Sequence, residues 1–379
     1  MMQKVAIITH YYKSTNCGGN LQAFALVKKI SDLGFEAEQI CFDTSSVQKD
    51  QSKVKNILRL LNAKRVIKQL KNRSIQKKIS PRFQKIKRFN NQKIPHTEKV
   101  YNEKTVHECV NYFDAFVTGS DQVWNLKWYY PAYFLDFVPS NKIKISYAAS
   151  VSMKELNAEQ KALFKNHLKD YEAVSVREKS DTNIVADLSV QTVEWVLDPT
   201  MLLNKDEWSE IVSERIIDEP YVFCYFLGND DNERKVASAF AKKKGLKLVT
   251  LPYLGSSYRK CDKKFGDIQL FDTGIEDFLS LIKNAEYVFT DSFHATVFSG
   301  IFEKQYAVFQ RANHSGMESR IYTLCDLYET PERFCDTKEK ASLEYVESLD
   351  NIDYERPLAN LQEMKEKSIN YLKKNLRKQ

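Results

Sequence analysis

Short apolar runs, many of them β-branched, alternate with amphipathic helical patterns along the whole chain. Val5–Thr9 predicts a buried strand. A polar stretch from His10 to Asn20 follows, then helical spacing from Leu21 to Leu33 that stops at Gly34, a residue suited to a C-cap. Phe35–Phe42 predicts the next strand. Further strands are predicted at Ala115–Thr118, Ile143–Ala149, Ala173–Val176, Val190–Val196, Tyr221–Leu227, Leu246–Leu251, Tyr287–Thr290 and Tyr306–Phe309. Helical spacing fills most of the intervals, as in Glu155–Lys169, Arg234–Lys244, Ile275–Ala285 and Ala295–Phe302. This alternation predicts an α/β fold of βαβ units, with mostly parallel sheets covered by helices.

At 379 residues the chain exceeds one typical domain. Asp198-Pro199-Thr200 stops a strand, and a charged helical stretch runs to Pro220 before a fresh strand–helix series begins. The expected division is an N-terminal α/β domain over 1–200, with a basic helical insertion at 51–97, and a C-terminal α/β domain over 201–345. A helical tail, 346–379, is expected to pack back on the body.

Hydrophobic residues make up 43% of the chain and aromatic ones 12%, too much for a disordered or low-complexity protein. No apolar run approaches the ~20 residues that cross a bilayer, and the stretch after Met1 is too short for the core of a signal peptide. A cytoplasmic location is expected, with at most a peripheral contact at the inner face of a membrane. The seven cysteines form no Cys-x-x-Cys pair, which suits reduced thiols rather than a disulfide framework or zinc site. The six histidines include no His-x-x-x-His, so neither a metal nor another cofactor is expected.

The net charge of +7 is unevenly placed. Residues 51–97 carry fifteen Lys or Arg and no Asp or Glu, leaving 42 basic against 50 acidic residues elsewhere, a net of −8. Their apolar positions predict two amphipathic helices. One carries the stripe Val54, Ile57, Leu58, Leu61, Ile67 and Leu70; the other carries Ile75, Ile79, Phe83, Ile86 and Phe89. One use is a solvated face on helices docked to the first domain. Another is attraction to anionic head groups or a pyrophosphate-linked carrier, at ~1 kcal/mol per basic residue. No nucleic-acid-binding fold accompanies the charge, so nucleic acid is not an expected partner.

Paired α/β domains place ligands at the carboxyl ends of strands, so chemistry is expected in the loops that follow strands. In Asn16-Cys17-Gly18-Gly19-Asn20 the paired glycines let the backbone approach a ligand, ahead of a helix end that favours an anion. A tight turn explains them equally well. Thr118-Gly119-Ser120-Asp121-Gln122-Val123-Trp124-Asn125 concentrates donors and acceptors after a strand. Asp121 there suits a general base toward a hydroxyl, and Trp124 suits stacking on a sugar ring; a helix cap and a core residue are their plainer roles. In Phe289–Thr296, Asp291 or Ser292 can cap the next helix, and His294 lies in its first turn, where proton transfer is plausible chemistry. Arg177, Arg311 and Arg320 follow strands in turn, and guanidinium groups converging on a cleft would hold a carboxylate or phosphate.

Together these loops resemble one family, the polysaccharide pyruvyl transferases. The matching pieces are Asn16–Ala23, the run Gly119-Ser120-Asp121-Gln122-Val123-Trp124-Asn125, Ile145–Ser150, Val176-Arg177-Glu178, Leu197-Asp198-Pro199-Thr200 and Asp291-Ser292-Phe293-His294. They occur in the family's order over roughly residues 5–325. The resemblance implies two Rossmann-like domains facing a cleft, as in GT-B glycosyltransferases. It also implies pyruvyl transfer from phosphoenolpyruvate to sugar hydroxyls, forming a ketal on an exopolysaccharide or capsule. One position departs from the pattern. The family's Arg-Leu-His reads Ser292-Phe293-His294 here, so Arg311 or Arg320 would have to supply the guanidinium expected on the donor.

The resulting assignment gives catalysis to His294, as acid, and Asp121, as base or acceptor clamp. Arg177, Ser292, Arg311 and Arg320 would bind the donor, phosphoenolpyruvate. Gly18, Gly19, Asn20, Ser120, Trp124 and Asn125 would line the side of the acceptor, a glycan or lipid-linked sugar. Ser292 leaves two alternatives open: a nucleotide-sugar donor on the same fold, or a catalytically silent scaffold in glycan assembly.

Overall fold

Two all-parallel sheets frame the computed structural model, which describes residues 2–45, 63–253, 258–311 and 318–377, the side chains of 63–76 excepted. The first sheet has the order β3-β2-β1-β4-β5. Its strands are Lys4–Ile8 (β1), Glu36–Phe42 (β2), His96–Tyr101 (β3), Ala115–Thr118 (β4) and Ile143–Ser146 (β5). Bridges at Ile145–Ala173 and Ala149–Val176 lead from it to the pair Val174–Val176 (β6) and Val193–Trp195 (β7). The second sheet has the order β10-β9-β8-β11-β12-β13. It comprises Tyr221–Tyr225 (β8), Lys247–Thr250 (β9), Ile268–Gln269 (β10), Tyr287–Thr290 (β11), Gln305–Phe309 (β12) and Phe334–Cys335 (β13). The fold is α/β, as the alternating pattern predicts.

The central strands are apolar without interruption because helices cover both faces of each sheet. Val5 to Ile8 in β1 and all of β4 and β8 are buried. Register then sets where the loops emerge. Ile8 pairs with Thr118, and Thr118 with Ser146, so β1, β4 and β5 end level with one another. In the second sheet Thr290 pairs with both Tyr225 and Val308, which levels the ends of β8, β11 and β12.

Several boundaries differ from the sequence expectation. The helix expected from Leu21 begins at Cys17, because Asn16 caps it by accepting from the Gly18 amide at 3.0 Å. Gly18, Gly19 and Asn20 therefore lie in its first turn and not in a loop. The strand expected over Ile143–Ala149 stops at Ser146, two residues before Ala148 turns to φ 53°. Three edge strands, β3, β10 and β13, carried no recognisable pattern.

Over the described residues the basic segment forms one helix, Ala63–Lys93, rather than two. The stripe from Val54 to Leu61 lies outside the described residues. Of the second stripe, Ile79, Ile86 and Phe89 are buried. This helix serves both halves of the molecule and not the first alone. Asn90 donates to Asn20 at 2.8 Å on one side. On the other, Arg82 donates to the carbonyls of Pro252 and Leu270, and Lys85 pairs with Asp277 at 2.7 Å.

The C-terminal helix, Glu355–Leu376, buries Leu361, Tyr371, Leu372 and Leu376. Tyr371 donates to the Ser146 carbonyl at the end of β5, the Leu197 amide donates to Ser368 Oγ, and Gln3 donates to the Leu376 carbonyl. The chain's last helix thus lies against the first half. Among the described residues no helix is long and apolar enough to cross a membrane.

Candidate active site

The levelled strand ends of the two sheets bring distant motifs to one cleft. His294 enters from the first turn of the helix Phe293–Ile301, capped by Ser292, whose Oγ accepts from the Ala295 amide at 3.5 Å. Its Nε2 lies 3.6 Å from Asp198 Oδ2, in the other half of the chain. The ring packs directly on Gly18, where a Cβ would sit 2.1 Å from Nδ1. A Cβ on Gly19 would lie 2.7 Å from the His10 carbonyl. The paired glycines thus permit close approach rather than a positive-φ turn.

Asp198 is wholly buried and accepts from four donors. These are Ser120 Oγ at 3.0 Å, the Thr200 amide at 3.0 Å, Thr200 Oγ1 at 2.6 Å and Arg177 Nη1 at 3.2 Å. Burial alone would raise its pKa, but His294, Arg177 and Thr200 outweigh that and hold the carboxyl well below the usual range. Arg177 also binds Glu178 at 2.8 Å and lies 3.8 Å from Asp121 Oδ1. Its guanidinium stacks over the Phe293 ring at 4.5 Å. Against its own burial, Glu178, Asp198 and Asp121 raise its pKa, so it stays charged.

Asp121 follows β4 with φ 73°, a left-handed conformation that a non-glycine residue holds only where its surroundings impose it. Burial works against its charge, yet Arg177, His294, His10 and Arg320 together lower its pKa. His10, directly after β1, has its pKa lowered by burial against the pull of Asp121. Its ring packs on Tyr133 with centroids 4.4 Å apart.

Buried polar atoms without a partner accumulate around this carboxylate. They include His10 Nε2, Gln122 Nε2, Arg177 Nη2 and Arg320 Nε, with one acceptor, Glu178 Oε2; His294 Nε2 faces Asp198. Arg320, whose pKa is pushed down to about 10 by burial and then by Arg311 and Arg177, is the third guanidinium of the group. Leaving a buried donor unpaired costs ~1–3 kcal/mol. Their gathering in one cleft suits an anion rich in acceptor oxygens.

Other expected site residues have different roles. Trp124 cannot stack on a sugar: it is fully buried and lies parallel to Phe134, centroids 5.7 Å apart. Ser120 is buried and holds Asp198. Asn125 is buried and caps the turn that starts at Leu126. Asn20 is buried and donates to the Ser14 and Asn16 carbonyls. None of these four side chains is exposed to an acceptor; they shape the loops around it. Arg311 is turned onto Asp291, at 3.2 Å to Oδ2 and 2.9 Å to the carbonyl.

Four contributors were not singled out from the sequence as site residues: His10, Gln122, Asp198 and Trp128. His10 and Asp198 both follow strands, the signal by which they could have been found. Gln122 and Trp128 line an adjoining cavity of about 380 Å³, together with Cys17, Arg82, Tyr225 and Arg311. At 54% exposure, Trp128 offers the free aromatic face that Trp124 lacks.

The family is decided by a match to the model for polysaccharide pyruvyl transferase, which spans residues 16–311 and so takes in Gly18, Asp121, Arg177, Asp198 and His294, though not His10 or Arg320. The chain belongs to the polysaccharide pyruvyl transferase family. Solved structures with a similar fold include the UDP-GlcNAc 2-epimerase of Methanocaldococcus jannaschii, 12% identical with a TM-score of 0.54 over 98% of this chain and 100% of that one. The Neisseria meningitidis UDP-GlcNAc 2-epimerase bound to UDP-GlcNAc is 12% identical, TM-score 0.54, over 99% and 100%. The S. aureus MnaA–UDP structure is 14% identical, TM-score 0.53, over 98% and 96%. These likenesses establish the GT-B type of fold. No curated protein matches the chain significantly. In this polysaccharide pyruvyl transferase family member, the Ser292-Phe293-His294 turn is flanked by Arg177, stacked on Phe293, and by Arg311, held on Asp291.

Proposed function

We propose that the chain transfers the pyruvyl group of phosphoenolpyruvate to two hydroxyls of one sugar in a surface glycan, giving a cyclic ketal and inorganic phosphate. The observation that carries this reading is the group of unpartnered buried atoms on His10, Gln122, Arg177 and Arg320, beside the His294–Asp198 pair. Phosphoenolpyruvate presents a carboxylate and a phosphate on three carbons, so its terminal oxygens can meet several converging donors at once.

In this mechanism protonated His294 delivers its proton to the methylene carbon, and positive charge develops at the central carbon. Asp198, kept ionised by its four donors, orients the imidazole and stabilises its protonated form. A first sugar hydroxyl attacks the central carbon and gives its proton to Asp121. The second hydroxyl then displaces phosphate, which departs with the bonding electrons, and the ring closes. Of the two protons lost by the sugar, one balances the new methyl group and the other leaves on phosphate. Arg177 and Arg320 hold the donor's anionic groups, and Ser292 supplies the helix cap beside them.

A nucleotide-sugar donor is less well served. The Leu227 and Gly228 amides, which follow β8 and would suit a diphosphate, already bind the Asp291 carboxylate at 2.7 and 2.5 Å. The first turn of the next helix carries Asp231, which repels an anion there. A silent scaffold would have no use for unpaired buried donors. The test is to incubate the protein with phosphoenolpyruvate and surface-glycan fragments and follow both by NMR. Phosphate release matched by a new ketal methyl signal is expected; phosphate release without it, or neither, contradicts the reading.

A further inference from the structure

Against Arg177 lies a pair of buried carboxyls, one of which the mechanism leaves unused. Glu178 precedes the helix Lys179–Ala186 as its N-cap without a side-chain capping bond, and Asp181 stands in the first turn. Their spacing of three residues puts both carboxyls on one face. Each residue is 1% exposed. Glu178 Oε1 accepts from Arg177 Nε at 2.8 Å, whereas its Oε2 is buried without a donor. Asp181 Oδ2 accepts from the Val151 amide at 2.8 Å, in the loop that follows β5, and Asp181 Oδ1 meets Ser180 Oγ at a long 3.4 Å. The two carboxyls are in hydrogen-bond contact with each other.

Two ionised carboxylates cannot share such a contact, because neither can donate. Arg177 already serves Glu178, Asp198 and Asp121. Other charged groups surround Asp181 without pairing with it. Lys179 lies over the Trp195 ring, and Lys154 and Glu318 border the cavity that Ser180 also lines. The helix Ser319–Leu327 packs on this one and brings Arg320 close enough to act on Glu178. Burial, and then Glu178, raise the pKa of Asp181 well above the usual carboxylate range, against the opposing Val151 amide and Arg177. A proton on Asp181 Oδ1 gives the orphaned Glu178 Oε2 its donor and removes the repulsion at once.

We propose that Asp181 is a positioning residue that stands in the fold as a neutral carboxylic acid, donating to Glu178 Oε2 and so fixing Arg177 for the donor substrate. With Nε locked on Glu178 and Nη1 on Asp198, Arg177 presents its unpartnered Nη2 to that substrate. The inference rests on the pyruvyl-transfer reading for what Arg177 binds, and not for the proton on Asp181.

Infrared difference spectroscopy of the full chain, wild type minus Asp181→Asn at pH 7, reads the proton directly. A carboxylic-acid C=O band that shifts in heavy water is expected. Calorimetric titration with phosphoenolpyruvate reads the positioning. Asp181→Asn keeps a donor for Glu178 and an acceptor for Val151, so it should bind about tenfold more tightly than Asp181→Ala, which has neither. Over the pH range in which the band fades, affinity should fall more steeply in wild type than in Asp181→Asn, since His294 and His10 titrate in both. Should Asp181→Ala not fold, the band and the two pH profiles still decide. No band at pH 7, equal binding by the two variants, or parallel pH profiles overturns the inference. The band without phosphoenolpyruvate binding would refute the donor and leave the proton on Asp181; binding without the band would do the reverse.

Discussion

Three cationic side chains in the cleft separate into different duties once burial and partners are known. Removing the imidazole in His294→Ala should lower turnover about 100-fold or more and leave the chain folded, with a smaller loss of stability than Arg177→Ala. Steady-state rates beside a thermal melt check both halves of that statement. Arg177 is another matter, since it is buried against Glu178, Asp198 and Asp121. Arg177→Ala leaves those carboxylates unbalanced, and a loss of ~3–5 kcal/mol in denaturant unfolding is expected. Arg320→Ala should spare stability and raise KM for phosphoenolpyruvate. In the sequence these two arginines looked alike, because each simply follows a strand. Trp124 and Trp128 show the same limit: irregular loops lack the periodicity that tells an inward from an outward ring. The partnership of Asp198 with His294 was equally hidden, since 96 positions separate them and only the packing of two sheets joins them.

Among elements, the parallel strands were the most legible, because burial on both faces writes them as unbroken apolar runs. The edge strand β3 was not, as Glu98, Lys99 and Val100 are all exposed there. The basic helix was half legible: its apolar stripe showed, but not that Arg82 reaches the other half of the molecule. Arg82→Ala gives up two hydrogen bonds from a charged group to carbonyls, each worth ~1.5–3 kcal/mol. Faster cleavage of the 63–93 helix in limited proteolysis, with a lower denaturant midpoint, is expected. The helix that starts at Asp231 supplies a pH test. Burial, then Asp291, pushes Glu233 up to about 8 from 4.5. A raised folded pKa contributes stability that is complete below pH 4.5 and is lost as pH rises through 8. Glu233→Gln abolishes this loss, so it should melt higher than wild type at pH 9 and alike at pH 5. Equal melting temperatures at pH 9 would show that Glu233 remains ionised in the fold.

At the scale of the whole molecule, the division into two facing sheets followed from strand–helix alternation and length. The candidate site between them lies where ligands gather in such folds, at strand ends. The charge asymmetry also acts at this scale. If residues 51–97 draw the enzyme to lipid, it should co-sediment with anionic vesicles at low salt and be released as the Debye length shortens toward ~8 Å. Charge-neutralising Lys64, Arg65, Lys68 and Lys71 should weaken binding, whereas salt-independent binding would contradict an electrostatic contact. Phosphoenolpyruvate is proposed to bind on the unpaired donors of the cleft. Calorimetric titration of the full chain with phosphoenolpyruvate, and separately with UDP-, GDP- and CDP-sugars, tests it most directly. Saturable binding of phosphoenolpyruvate, weakened in Arg320→Ala, is the expected result; binding of a nucleotide sugar with no response to phosphoenolpyruvate would contradict it.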